Sequence, residues 1–553
     1  MSKRTSRAQR QQNRIEARTI DAARAQLMSQ LMPHLGGMMA FGGSGGGFGG
    51  GSFGVEAPPQ RDPAWRPAPR DARSDTLARL PLQRGQSRDL ARTSPIGGGA
   101  INTNVDRVVG TGLALSAQPH LKVLGWTPEQ AAEWKATHVQ PEFSLWADSP
   151  LSDIEETHTF YQQQALVLRA KLESGDCFTL LPDADEATPD MPYRLRTQVI
   201  EADRVGNPNG LSDTAQMAAG VRFNDKGAPD AYFLYDQHPG SGVWWGATTG
   251  LGKGQWIDRV GPSGRRRMLH HFSKLRPGLP RGIPYLAPIV DCLKQIARYT
   301  ESEIMAAVIS ACVTAFVQVP AGGSNPLVRP STDQSQESRY ESMLSHGAAI
   351  TLRPGEEVKF PTPGRPSPNF EPFVLAVVKQ IGMALGIPYE LLIKQFNASY
   401  SASKAALLDA WVYFRSVRNW LALSFCQPIY ETWMVESVAL GRVPAPGFFA
   451  DPLLRWAYTR AGWHGDSMGS INPKDEVAAY TSAIDAGLMT RERAEWELWG
   501  SDWNDTYGQK LAEHQRMKAD GMQPAPKPGA AAPASAPAPA PEPAAPDNTG
   551  SQP

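Results

Sequence analysis

Three stretches of this chain have the residue types for chemistry, and each fails on its surroundings. Gly246-Ala-Thr-Thr-Gly-Leu-Gly252-Lys253-Gly254 reads at first like a phosphate-cradling loop. Such a loop needs glycine at a fixed offset, a Ser or Thr hydroxyl on magnesium after the lysine, and a helix opening behind it. Here the first glycine is missing, Gly254 stands where the hydroxyl belongs, and a strand-like run follows. Gly42-Gly-Ser44-Gly-Gly46 fits the G-x-S-x-G nucleophile pattern, but it lies in low-complexity glycine with no strand or helix to hold it. His270 and His271 are adjacent, so on a strand they face opposite ways and do not close on one ion. Cys177, Cys292, Cys312 and Cys426 are far apart without C-x-x-C spacing, which reads as free thiols in a reducing cytoplasm. Asn397-Ala-Ser399 matches a glycosylation sequon, which has no bearing without secretion. The sequence thus offers no catalytic residues, no cofactor site and no metal site.

The clearest organised stretch runs from Asn369 to Glu436. Phe373 to Val378, then Ile381, Met383 and Leu385, read as an apolar helix ending at Gly386, and Ile387-Pro388-Tyr389 breaks it. A polar loop follows, from Lys394 to Ser403. From Lys404 a longer helix places Leu407, Trp411, Phe414, Val417, Leu421 and Phe425 on one face at spacings of three and four. Pro428 should kink it. A small polar loop is therefore held between two helices that need burial.

The 553 residues exceed one compact core, so two or more domains are expected. Fifty-five basic and 55 acidic side chains cancel, so any case for nucleic acid has to be local. The amino terminus carries Lys3, Arg4, Arg7, Arg10, Arg14, Arg18 and Arg24 without a signal peptide's apolar core, and reads as a solvated arm. Gly36 to Gly54 is glycine-rich, Pro58 to Pro69 proline-rich, and from Gln523 the tail is almost all Pro, Ala and Gly, where disorder is expected. Between them, Trp126–Trp134 and Asp153–Leu172 read as helices. Cys177–Leu181, Tyr193–Ile200, Gly220–Phe223 and Ala231–Tyr235 read as strands, with Asn224-Asp-Lys-Gly227 as a hairpin turn. This is an α+β pattern with an antiparallel sheet. Pro284-Tyr-Leu-Ala-Pro288 opens a helix expected to reach Val319. Its Ile304–Val319 segment is shorter than the roughly 20 residues of a membrane span, so a buried helix is expected there. Asp291, Lys294, Arg298 and Glu301 make a charged stripe on it that can face solvent, a neighbouring subunit or a lumen.

Seven phrases together resemble the portal protein of tailed bacteriophages, in its lambda-type family. They are Asn104–Leu113, Gln198–Arg204, Leu269–Gly278, Arg281–Pro288, Ala384–Leu392, Phe396–Leu408 and Phe425–Tyr430, and the likeness spans about Gly97 to Asp502. The resemblance implies a ring, expected to be a dodecamer, through which double-stranded DNA enters and leaves the capsid at one vertex. It implies a portal fold: a flexible arm (1–76), an α+β wing (77–283), a first stem helix (284–320), a turn-rich clip (321–369), a second stem helix (370–387), a tunnel loop (388–403), a spine helix (404–440), C-terminal wing and crown helices (441–522) and a disordered tail (523–553). Implied partners are the terminase large subunit, the major capsid and scaffold proteins, and head-completion or neck proteins. The location implied is the virion, with assembly in the host cytoplasm and no membrane.

On that resemblance the DNA-channel candidates are Lys394, Gln395, Asn397, Ser399, Tyr400, Ser401, Ser403 and Lys404. Amides and hydroxyls with two ammonium groups can touch phosphates briefly, whereas a dense basic lining would hold DNA by counterion release. Base contacts are not expected in a conduit that passes any sequence. Lys404, Arg415 and Arg418 share a helical face, and contact either DNA or acids of a neighbouring subunit. Lys294 and Arg298 carry the same two readings. The competing classes are a soluble nucleic-acid-remodelling enzyme with an unrecognised active site, and a membrane pore built on Ile304–Val319.

Overall fold

The computed structural model describes residues 69–241, 253–317, 348–351, 369–396, 399–467, 469, 472–500 and 503–522. The chain divides after Pro69 into two units, and the elements below all lie in the second. The basic arm, the glycine-rich and proline-rich stretches, most of the expected clip, and the Pro/Ala tail lie outside the described residues.

The described residues open with a helix Ala72–Thr76, capped by the Asp71 carboxylate and lying just before the expected start of the α+β domain at residue 77. Leu80–Thr93 and Pro95–Val108 then form a helical hairpin, the second helix capped where the Gly97 N–H donates to Ser94 Oγ at 3.2 Å. The hairpin is close enough that a Cβ on Gly98 would meet the Ala91 carbonyl oxygen at 2.7 Å, so glycine is required there. Two capping boxes, Thr127 with Gln130 and Thr159 with Gln162, start the helices Pro128–Trp134 and Phe160–Ser174. The second begins seven residues later than the pattern from Asp153 suggested, because Asp153 caps a turn through Glu155, Thr157 and His158 instead.

The expected strands form two antiparallel sheets. One orders Gln198–Ile200, Asp176–Leu180 and Met268–Phe272; the other orders Met217–Ala218, Val221–Phe223, Pro229–Tyr235 and Gly254–Asp258. The Asn224–Gly227 turn joins two of these strands, with Asn224 Oδ1 accepting from the Lys226 and Ala228 N–H groups and Gly227 at φ +77°. The run Tyr193–Ile200 is a strand only at its end; its earlier residues make isolated bridges. A third antiparallel pair was not read from sequence: Ala114–Ala117 with Ala461–His464, residues almost 350 positions apart.

The Val290–Cys312 helix stops short of Val319, because Val313-Thr-Ala-Phe-Val317 is β-branched and aromatic and becomes a strand pairing in parallel with Ala348–Thr351. Nor are the described large apolar side chains at the start of its apolar segment buried within one chain. Ile304, Met305 and Val308 are 58%, 55% and 44% exposed. Among the described residues no helix is long and apolar enough to cross a membrane. The Phe370–Leu385 helix lies against it through Tyr299, whose ring stacks on Phe370 and meets Phe373 edge-on.

The Tyr400–Leu421 helix buries the expected face: Phe414, Val417, Leu421 and Phe425 are buried, Leu407 and Trp411 half-buried. Just before Pro428 the backbone widens into a π-turn over Ala422–Cys426, then resumes as Gln427–Ala439. Proline has no N–H and crowds the carbonyl four residues back, so a wider turn is how the helix absorbs it. The core below is aromatic. Phe143 meets Trp433 edge-on at 5.1 Å, and Phe160 stacks on Phe425 at 5.4 Å.

Candidate nucleic-acid interface

The loop is anchored at both ends by local chemistry. Gly386, at φ +69°, closes the Phe370–Leu385 helix in the left-handed conformation that glycine adopts without penalty. The Tyr285 hydroxyl donates to the Leu385 carbonyl at 2.5 Å and accepts from Asn104 Nδ2 at 3.3 Å, tying the helix end to the Pro95–Val108 helix. A short helix, Tyr389–Ile393, occupies what the sequence suggested was loop. Lys394 ends it at φ +53°, a conformation that strains a residue with a Cβ, and the Gln395 N–H donates to the Glu390 carbonyl. The second helix begins at Tyr400 instead of Lys404, with Ser399 at its N-cap. The stretch between these two helices is therefore Lys394–Ser399, with Asn397 and Ala398 outside the described residues, where 388–403 was expected.

Of the candidate residues, Lys394, Gln395, Ser399 and Ser401 are exposed and Ser403 is half-buried. Asn397 and the Tyr400 side chain lie outside the described residues. Ser401 and Ser403 belong to the first helical turn, where the Ser403 N–H donates to the Ser399 carbonyl.

Two cations of the stripe, Lys404 and Arg418, have partners within the chain. Lys404 Nζ donates to Glu476 Oε1 at 2.8 Å, so the acid it finds is intramolecular. Arg418 donates to the Val108 carbonyl at 2.9 Å, to Arg107 at 3.1 Å and to Asp466 at 3.0 Å, with its guanidinium over the Trp411 ring. Burial pushes its pKa down against the pull of Asp466. Three carbonyls on two segments make it a staple between the helical hairpin, the second helix and the Gly465–Ser467 turn. Arg415 remains exposed beside a cavity of about 740 Å³ that also receives Trp411, His464 and Trp496. Lys294 and Arg298 are exposed on the Val290–Cys312 helix, as are Asp291 and Glu301 of the same stripe. The stripe does face outward.

His270 and His271 take different surroundings, as adjacent strand residues must. His270 Nε2 meets Asp176 Oδ2 at 3.1 Å, and its ring stacks on Phe178; His271 pairs with Thr179 Oγ1 at 2.9 Å. Sequence reasoning missed the charge cluster this involves. Asp176, fully buried, accepts from Arg84 Nη2 at 2.6 Å, Arg281 Nε at 2.5 Å and the Gly282 N–H at 3.2 Å. Arg281 also donates to the carbonyls of Val205, Ala219 and Ala202. No local signal marks this cluster, although three of the phrases, Gln198–Arg204, Leu269–Gly278 and Arg281–Pro288, contribute residues to it.

The fold also gathers Glu201, Asp203 and His238. Arg88 already pairs with both carboxylates, at 3.1 Å to Glu201 and 2.5 Å to Asp203. His238 Nδ1 accepts from the Gly240 N–H, which leaves the proton on Nε2, pointing at the acids. The group is an ion-paired surface cluster. The arrangement exposes polar groups at the loop and engages two of the three cations behind it, Lys404 by Glu476 and Arg418 by main-chain carbonyls.

Residues 59–418 match the family model described as "Phage portal protein, lambda family". The chain is similar to the "Portal protein" of Escherichia phage N15, 24% identical over 484 residues, covering 83% of this chain and 89% of that protein. It is equally similar to "Portal protein B" of Escherichia phage lambda, 24% identical over 487 residues, covering 83% of this chain and 88% of the other. Among solved structures, a chain from the neck of an empty gene transfer agent particle computed with C6 symmetry has 13% identity and a TM-score of 0.41, covering 75% of this chain and 94% of that one. A chain from the virion of the native particle has 13% identity and a TM-score of 0.38, covering 76% and 94%. Likenesses that weak bear on nothing further.

Proposed function

The chain belongs to the lambda family of phage portal proteins, structural and not enzymatic, and from that premise we propose that it closes into a ring, of twelve copies as the family's architecture suggests, whose lumen passes double-stranded DNA at the capsid vertex. In this reading residues 77–283 are the wing, the helices Val290–Cys312 and Phe370–Leu385 the stem, the stretch between them the clip, Lys394–Ser399 the tunnel loop, the helix from Tyr400 the spine, and the C-terminal helices the crown. The clip docks the terminase large subunit; capsid, scaffold and neck proteins take other faces. The ring stands in the virion after assembly in the host cytoplasm.

One observation carries the reading: a short loop, exposed at Lys394, Gln395 and Ser399, stands before a stripe in which two of three cations, Lys404 and Arg418, are used inside the chain. A surface of amides and hydroxyls with few free cations touches phosphates without holding them, which suits a duplex that must slide. Exposed Ile304, Met305 and Val308 on the stem supply apolar surface for subunit contact, and a heterologous contact repeated by rotation closes a ring.

Electron microscopy of the purified chain tests the ring: closed rings with a central channel are expected, and monodisperse monomers at micromolar concentration would overturn it. For the loop, deleting residues 395–399 should leave rings intact and lower the DNA packaged or retained. Normal packaging and retention would remove its role.

A further inference from the structure

A cavity of about 840 Å³ opens where the segment Ile283–Pro288 leading into the Val290–Cys312 helix, the end of the Phe370–Leu385 helix and the Tyr400–Leu421 helix converge. Its walls are mostly apolar and aromatic, with Tyr285, Tyr413, Trp420 and Pro288 among them. Its rim carries Met383 and Leu275, which are 87% and 72% exposed. Into this setting the Phe160–Ser174 helix sends one charged side chain. Lys171 Nζ lies 4.9 Å from the centroid of the Trp420 ring, whose Nε1 is fixed by donation to the Phe272 carbonyl. Among the described residues the Lys171 amine makes no ion pair and no hydrogen bond, and no carboxylate acts on it. Burial pushes its pKa down to about 8. A lysine held in an apolar cavity by one ring face has three unmet donors, and a carboxylate is the group that completes it.

We infer that this cavity is the receiving half of a contact between copies of this chain, in which a carboxylate side chain of one copy, carried on an apolar surface, enters beside Lys171 of the next. The inference rests on the ring reading above and goes beyond it by naming the pocket. The match is one of charge and apolarity. The rim is too exposed to be finished by a small anion alone, whereas protein surface covers it. A heterologous contact needs a donor patch elsewhere on the same chain, and suitable patches exist: Glu301 is exposed and shares a helical face with the exposed Ile304 and Met305. Pairing in a cavity closed by the neighbour removes water from both charges, so loss of either partner leaves the other buried and alone.

The test uses the full chain. Equal amounts of ¹⁴N- and ¹⁵N-labelled protein are mixed, allowed to assemble, and treated with a zero-length carbodiimide that joins amines to carboxylates in contact. Mass spectrometry should find Lys171 joined to an acidic residue in mixed-isotope pairs, which also names the donor. Lys171 joined only within one isotope, or not joined at all, overturns the inference. In parallel, mass photometry of Lys171→Glu should show ring formation weakened at least tenfold, with circular dichroism unchanged, and Lys171→Met should weaken it less. Rings from Lys171→Glu at the native concentration overturn this contact while leaving the ring itself standing. A wild-type chain that never associates overturns both.

Discussion

Replacing Asp176 by Asn tests how the sheet that carries it is held to the helical hairpin Leu80–Val108. The carboxylate is fully buried, and Arg281 and Arg84 beside it are 1% and 6% exposed. Asn keeps the shape but removes the charge, and turns an acceptor into a donor facing guanidinium or imidazole hydrogens. Arg84 then retains Asp203 at 3.1 Å and the Ser174 carbonyl, while Arg281 retains only backbone carbonyls. Breaking one side of a buried ion pair costs about 3–5 kcal/mol. At the roughly 2 °C per kcal/mol expected of a long chain, that is a fall in Tm of about 6–10 °C. Differential scanning fluorimetry at matched scan rates measures it, since unfolding of a chain this size is governed by kinetics. Burial raises the Asp176 pKa, but Arg281, Arg84 and His270 overcome it and hold the carboxyl well below the usual carboxylate range. A depressed carboxylate stabilises fully above its unfolded pKa of about 3.9 and loses that contribution as pH falls toward the folded value. The gap between wild type and Asp176→Asn should therefore be level from pH 5 to 8 and narrow below pH 4. A Tm shift under 2 °C at pH 7, or a gap that closes already at pH 6, would refute the reasoning.

Arg418→Met should cost about 2–3 kcal/mol by leaving the Arg107, Val108 and Asp466 carbonyls short of a donor. Hydrogen exchange should then quicken at Gly465–Ser467, and unchanged protection there would refute the staple. Gly98→Ala should destabilise by about 1–3 kcal/mol, because the new methyl would stand 2.7 Å from the Ala91 oxygen; a neutral result by thermal melting counts against so close a hairpin. Lys171→Met should stabilise the unassembled chain at pH 7. The folded pKa, near 8, lies below the unfolded 10.5, so the charged form costs stability below pH 8 and that cost fades as pH rises toward 10.5. The side chain is half-buried, so the gain is discounted to about 1–2 kcal/mol. Melting curves at pH 7 and 10.5 should show it shrink, and equal gains at both would refute the titration.

Local patterns carried the helices and the hairpins. The apolar face from Leu407 to Phe425 was legible because helical spacing and burial are one signal, and the Asn224–Gly227 turn because its residues have few other uses. What failed was long-range. Ala114–Ala117 and Ala461–His464 pair across most of the chain, and neither strand has neighbours that announce it. The helix to Val319 was over-extended since Val313–Val317 keeps the apolar composition and changes only in β-branching. The Lys404–Glu476 pair and the Arg418 staple were hidden for a different reason. A stripe of cations on a helix looks the same whether its acceptors are phosphates, a neighbour's acids or the chain's own carbonyls, and those acceptors are 48 to 311 residues away in sequence.

The six residues from Lys394 to Ser399 have a mechanical consequence. Six residues drawn fully straight span about 20 Å, and their ends are pinned, one through Gly386 and the Tyr285 clamp, the other through the helix that Arg418 bolts down. A strap of that length fixed at two posts lets its midpoint swing by about 10 Å at most. That bound is one of chain length alone, and where it is centred is set by Tyr285 and Arg418, two residues outside the loop that hold the flanking helices.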